Sequence, residues 1–287
     1  MPSLIDMRRR IRSVKNTQQI TKAMKMVSAA KLRRAQDRVV ASRPYGALLR
    51  KVLANVAAAA EGNADGAPSN GLLARRPETN VLLVLITGDK GLAGAFNANL
   101  VKGAQRFLAE HAEAKVRLEL IGRKGRDFFR KRDADIAGEH IGLAAKVEYE
   151  AVAAIARKAM DLYRAEEIDA VYLVYNEFKS VASQKMTVKR VLPVEMPEQT
   201  EPVDYLFEQP PVDMLAALLP RYVETEFFGA MLESAAAEHA ARMTAMEAAT
   251  SNAGDMIERL TLFMNRVRQA SITKEIIEVV SGAAAAE

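Results

Sequence analysis

From Met243 to Ser271 the chain places an apolar or small residue at alternating third and fourth positions: Met243, Met246, Thr250, Ala253, Ile257, Leu260, Met264, Val267 and Ser271. That alternation keeps one stripe of a helix facing a partner helix. No proline falls in this stretch, and Gly254 is its only glycine before Gly282. The chain then runs through Ile272–Gly282 into four alanines, Ala283 to Ala286. A helix that ends in alanine has a slim, smooth, uncharged tip, suited to a narrow apolar hole and unsuited to serve as a catalytic platform.

The distribution of charge points to a partner for that helix. Residues 1–53 carry fourteen Lys or Arg against Asp6 and Asp37, a net of +12. Residues 213–287 carry a net of −5 and residues 54–212 a net of −2. Long terminal segments of opposite sign predict that they pair, or that the basic one also meets an acidic partner. Residues 4–60 read as one helix, with Ser3 or Asp6 able to cap its start. Ile20, Ala23, Met24, Val27 and Ala30 share a face, continued with a phase shift by Leu32, Ala35 and Val39. Pro44 is expected to kink or interrupt this helix, because it removes a backbone donor and crowds the preceding turn. Singly, the arginines and lysines off that face read as a solvated surface.

A polar Gly- and Pro-containing linker occupies residues 61–79, and then the period changes. Val81–Ile86 is a continuous apolar run of the kind found in buried parallel strands. A glycine-rich turn, Thr87–Gly94, leads into a helix over about 94–112. Further strands are predicted at 116–121, 135–139, 170–178 and 185–194, the last two as an antiparallel hairpin. Helices are predicted at 124–132 and 146–165. Alternating strands and helices imply an α/β domain over 79–196 with a mostly parallel sheet. A proline-punctuated connector, 196–211, precedes the last helix, which runs from Pro211 or Val212 to the end with a kink expected at Pro220. The fold class is therefore an α/β domain inserted between two long terminal helices, 1–60 and 211–287, that form an antiparallel coiled coil. The last helix would be about 110 Å long and would outreach the first by about 30 Å.

Little of the sequence carries reaction chemistry. It has no cysteine, and His111, His140 and His239 show no metal-ligand spacing. The Gly88–Gly94 turn follows a strand and opens a helix, where backbone amides can hold a phosphate. It matches neither G-x-G-x-x-G nor the P-loop pattern, and a tight turn that packs through small residues is the preferred reading. Glu275 and Glu278 share a helix face and read as docking contacts. No cofactor is expected. No apolar run reaches the length of a membrane span, and Met1–Asp6 shows no signal-peptide pattern.

Three motifs carry a family resemblance. The ending Ile272-Thr273-x-Glu275-x-x-Glu278-x-x-x-Gly282-Ala283, the opening Arg12–Ala29 and the turn Ile86–Asn97 together resemble the gamma subunit of F-type ATP synthases, over essentially the whole chain. The resemblance implies a non-catalytic central rotor shaft, one copy per complex, that couples a membrane rotor ring to ATP synthesis or hydrolysis. The implied partners are the alpha and beta subunits of the catalytic ring, the epsilon subunit and the membrane c ring. It implies a Rossmann-like foot and a peripheral place on the cytoplasmic face of a bacterial inner membrane, with protons as the coupling ion. It further implies that Met24 and Lys25 touch an acidic loop of the beta subunits. Arg242, Gln269, Thr273 and Glu275 would couple shaft angle to the catalytic sites, and Tyr205, Phe207 and Glu208 would lie at the foot near the rotor ring. A basic coiled-coil protein that binds nucleic acid is the alternative, although Tyr45 is the only aromatic in the basic segment available for stacking. A nucleotide-dependent enzyme built on residues 79–196 is a further rival.

Overall fold

A computed structural model describes residues 3–61, 71–196 and 207–284. In chain order these form α1 (Leu4–Glu61), β1 (Asn80–Ile86), α2 (Phe96–Glu110), β2 (Lys115–Ile121), α3 (Arg123–Phe129) with a 3₁₀ turn at Arg130–Arg132, and β3 (Ile136–His140). There follow α4 (Tyr149–Arg164), β4 (Ala170–Phe178), β5 (Gln184–Leu192) and α5 (Pro211–Ala284). Contacts divide the chain into two compact units, one of Met1–Ser28 with Met243–Glu287 and one of Ala29–Arg242. Both long helices contribute residues to each unit.

The larger unit is built on a five-stranded sheet ordered β3-β2-β1-β4-β5. β1 pairs parallel with β2 and β4, β2 pairs parallel with β3, and β5 runs antiparallel to β4 as the hairpin expectation required. The middle strand is buried from Val81 to Ile86, which is why it reads as a continuous apolar run rather than an alternation. From α1, Leu32, Val39, Leu49 and Leu53 are buried in this unit, and from α5, Leu219, Val223, Phe227 and Met231. Arg43 reaches Glu233 at 3.6 Å and Arg50 reaches Glu226 at 3.9 Å. Rising numbers on α1 thus meet falling numbers on α5.

Pro44 and Pro220 lie inside unbroken helices, so Pro44 does not interrupt α1. A proline in a helix interior costs about 3 kcal/mol through its lost hydrogen bond and its clash with the preceding turn. Here buried neighbours hold the helix on either side: Val39 and Leu49 about Pro44, and Leu219 and Val223 about Pro220.

The sheet also buries a carboxylate. Glu119 on β2 is 1% exposed and accepts hydrogen bonds from His140 Nε2 at 2.7 Å and from Lys158 Nζ at 2.9 and 3.0 Å. A side chain at Gly138 on the neighbouring strand would collide with that carboxylate. Burial by itself raises the Glu119 pKa, but the hydrogen bonds from His140 and Lys158 outweigh it and leave the group below its ordinary value.

In the smaller unit, burial along α1 follows a strict 3–4 alternation. Leu4, Met7, Ile11, Val14, Gln18, Thr21, Lys25 and Ser28 are each at least half-buried, and among the residues between them only Met24 is not fully exposed. This corrects the face read from the sequence, because Ile20, Ala23, Val27 and Ala30 are exposed and no phase shift is needed to reach Leu32. Apolarity misled there because the seam turns polar at Gln18, Thr21, Lys25 and Ser28. On α5 the expected stripe holds throughout: all nine residues from Met243 to Ser271 are buried or half-buried.

Glu119→Gln should lower the stability of the chain by about 3 kcal/mol at neutral pH, the usual cost of breaking a buried ion pair. The pKa of Glu119 is lowered on folding, so its contribution is complete above 4.5 and is lost as pH falls through the folded value. Urea denaturation of wild type and variant should therefore converge in acid.

Candidate functional site

In the smaller unit α1 and α5 meet through polar groups as well as apolar ones. Thr21 Oγ1 and Thr250 Oγ1 lie 2.7 Å apart, and Gln18 Nε2 donates to the Thr250 carbonyl at 3.4 Å. Lys25 Nζ pairs with Glu247 at 2.5 Å. The order 18 and 21 against 250, then 25 against 247, is antiparallel. A Cβ at Gly254 would stand 3.3 Å from Gln18 Nε2, so the glycine leaves room for that amide. The expected contact residue Lys25 thus has its charge partnered within the chain, in an exposed pair that contributes little to stability. Met24 is half-buried beside it.

The same unit exposes a large apolar surface. Ile20, Met26 and Val27 are 57–62% exposed on α1. On α5 every residue from Ile272 to Gly282 is exposed, and Val279 reaches 72%. Ile272, Ile276, Val279 and Val280 recur at helical spacing and so form one apolar stripe. A contiguous stripe of this kind marks a surface that another molecule covers. Gln269 and Thr273 lie one turn apart on the exposed helix, where Thr273 Oγ1 donates to the Gln269 carbonyl at 3.0 Å. Glu275 instead accepts from Ser271 Oγ at 3.2 Å. At about 100° per residue it faces away from Gln269 and Thr273, so the helix does not gather the three on one face.

Arg242 is placed differently. It belongs to the larger unit, is 9% exposed, and forms an ion pair with Glu238 one turn earlier on α5. Its guanidinium donates to the Gly91 carbonyl at 3.4 Å. The Glu238 carboxylate fills the space above Gly88, where a Cβ would meet it at 2.8 Å. The glycine-rich turn is therefore the seat of a helix, and the carboxylate over Gly88 would repel a phosphate. The turn's own polar groups are also engaged. Gly88 N donates to Asn97 Oδ1 at 2.9 Å, and the Asp89 carboxylate accepts from the amides of Arg123 and Gly142, each at 3.1 Å. His239 stands beside Arg242, with Nδ1 at 3.4 Å from Nη1. Burial, and then the charges of Arg242 and Lys31, push its pKa down to about 4. Sequence reasoning missed this lock, although Glu238 and Arg242 stand at the i, i+4 spacing that lets oppositely charged side chains meet. Of the expected foot residues, Phe207 is half-buried and Glu208 exposed, and Tyr205 lies outside the described residues.

The family profile described as ATP synthase matches residues 3–286. A protein of Solibacter usitatus described as ATP synthase gamma chain is 75% identical over 287 residues, the full length of both chains. The chain belongs to the ATP synthase gamma-chain family. Another gamma chain, from an Anaeromyxobacter species, is 51% identical over 99% of each chain. As a member of the family it is a non-catalytic subunit of ATP synthase, part of the central stalk. Among solved structures, it resembles a chain in the central stalk and c ring of the Tetrahymena thermophila mitochondrial ATP synthase. That match has a TM-score of 0.61 and 27% identity over 80% of this chain and 99% of that one. A chain of the Euglena gracilis mitochondrial enzyme shares the fold with a TM-score of 0.67 and 21% identity, over 98% of this chain and 94% of that one. These matches give no support to the nucleic-acid alternative.

Arg242→Ala should destabilise the gamma chain by about 3 kcal/mol, because it strands a buried carboxylate. It should also raise the pKa of His239 from about 4 toward its ordinary 6.5, since a neighbouring cation is lost while the burial remains. Thermal denaturation and an NMR titration of the His239 ring read the two effects separately.

Proposed function

We propose that this gamma chain is the rotating shaft of a proton-translocating F-type ATP synthase, its two long helices paired as an antiparallel coiled coil. The family match over residues 3–286 carries the reading, and the uncovered end of α5 fits it. The contacts of Gln18, Thr21 and Lys25 with Thr250 and Glu247, carried on in register, bring Leu4 level with the Met264–Arg268 stretch. Among the described residues, those of the second helix from Ile272 to Gly282 are all exposed. A single helix with an apolar stripe beside Gln269 and Thr273 and with Glu275 turned away from them presents a different surface at each angle of rotation. A surrounding ring of alpha and beta subunits would meet apolar contact at one angle and charge at another, and so would respond to shaft angle.

Within this reading, Met24, Lys25, Gln269, Thr273 and Glu275 face the alpha and beta subunits. Arg242 acts from within, by holding α5 on the glycine turn. The epsilon subunit and the c ring meet the α/β unit, with Tyr205, Phe207 and Glu208 on the rotor-ring side. The place of work is the cytoplasmic face of a bacterial inner membrane, in peripheral association. Among the described residues no helix is long and apolar enough to cross a membrane.

Tagged chain recovered from detergent-solubilised membranes should bring with it a large assembly that hydrolyses ATP, while the purified chain is inactive. Recovery of the chain alone would sink the reading. Met24→Lys should lower proton pumping per ATP hydrolysed while hydrolysis persists, because it sets a new cation beside the exposed Ile20–Val27 surface. Pumping measured in inverted vesicles at wild-type efficiency would remove Met24 from the coupling surface.

A further inference from the structure

Two kinds of contact seat α5 in the larger unit. Leu219, Val223, Phe227 and Met231 recur at four-residue spacing and are each at most 1% exposed, so one stripe of the helix is apolar and buried. Burial of this kind is non-directional. It holds a helix against its neighbours but does little to stop the helix rolling about its own axis. Pro220, in the same stretch, also lacks the backbone donor that would tie it to the preceding turn.

A carboxylate stands on each flank of that stripe. At about 100° per residue, Glu224 lies about 80° to one side of the line through Val223 and Phe227, and Glu226 about 80° to the other. Glu224 is 4% exposed and accepts hydrogen bonds from the Tyr149 hydroxyl at 2.6 Å and from Arg157 Nε at 2.7 Å, both on α4. Burial by itself raises the Glu224 pKa, but those two hydrogen bonds outweigh it and leave the carboxyl below its ordinary value. Glu226 accepts from Lys189 Nζ on β5 at 2.5 Å and meets Arg50 of α1 at 3.9 Å. Within one turn, α5 is therefore held from α4 on one flank and from β5 on the other.

Packing on the second flank is incomplete. A cavity of about 620 Å³ opens there, lined by Arg221, Glu226 and Gly229 of α5 and by Tyr149 and Lys189. An unfilled wall cannot resist a roll, so on that side the restraint falls to the directional pairs.

We propose that Glu224 is a torque-bearing positioning residue of the gamma chain. Held by Tyr149 and Arg157, and balanced by Glu226 with Lys189, it fixes α5 against rolling in its seat, so that turning the α/β unit turns the helix. This role rests on the shaft reading above. The ion pair of Glu238 with Arg242 grips the same helix about 21 Å further along, and a helix gripped at two levels passes twist from one to the other.

The chain has no cysteine, so Lys131→Cys, at an exposed position after α3, gives a single attachment point for a gold rod. The labelled full chain is reassembled with its catalytic ring, the ring is immobilised, and the angular variance of the rod is recorded without ATP. Glu224→Gln should raise that variance about 1.5-fold, because the seat is one compliant element among several in series. Tyr149→Phe should raise it less. Glu150→Gln, which removes only the exposed partner of Arg157, should not change it. Leu219→Ala loosens the apolar stripe and spares the charges, so it should lower thermal stability with a smaller rise in variance. Wild-type variance in Glu224→Gln, or an equal rise in Leu219→Ala, would overturn the proposal while leaving the shaft reading intact. A wild-type rod that does not turn when ATP is added would remove both. Should Glu224→Gln not assemble, Tyr149→Phe and Lys189→Met, one on each flank, decide the matter.

Discussion

The contact between Thr21 and Thr250 joins residues 229 positions apart. Everything else in the smaller unit depends on the two ends of the chain meeting there in one register. A seam of apolar residues alone is permissive, since one heptad can slide to the next with little change in buried area. Polar groups inside a seam cost stability and remove that freedom, because each must find its partner. Gln18 and Thr21 have theirs on a single residue, Thr250, and Gly254 leaves the space the Gln18 amide needs. An antiparallel pair with one register is what a shaft needs if it is to carry torque without slipping.

The larger unit uses charge in a related way. Glu119 is held between His140 and Lys158, and Glu238 with Arg242 is seated on the glycine turn. Each buried carboxylate lies against a glycine whose missing side chain makes room for it, Gly138 for Glu119 and Gly88 for Glu238. Such pairs are poor sources of net stability, but breaking one is costly, and they favour a single arrangement over near alternatives. The turn that resembled a phosphate cradle therefore packs against α5, with Glu238 over Gly88 and Arg242 on the Gly91 carbonyl.

Much of the fold was legible in the sequence. The run Val81–Ile86, the hairpin of 170–178 with 185–194 (observed to 192) and the nine-residue stripe of α5 were all visible as periodicity. The face of α1 was not. Ile20, Met24 and Val27 are apolar at helical spacing, and the rule that apolar residues point to the core picked them out. Ile20 and Val27 are on the outward surface with Met24 half-buried beside the seam, and the inward face carries Gln18, Thr21, Lys25 and Ser28. A chain that works inside a larger assembly has two sets of positions to bury, one against itself and one against its partners. Hydrophobicity does not distinguish them. Among the site residues, Gln269, Thr273 and Glu275 are exposed, whereas Arg242 is paired within the chain with Glu238.

Taken by itself, the sequence determined the element order, the parallel core of the sheet, the long uninterrupted seam of the last helix and the family. All of these rest on local pattern: period, turn chemistry and short motifs. Only the tertiary structure decided which face of α1 is inside, that Pro44 and Pro220 sit within continuous helices, and that Gly88 serves Glu238. Those outcomes depend on groups far apart in the chain competing for the same buried space. Period and composition along a single segment do not record that competition.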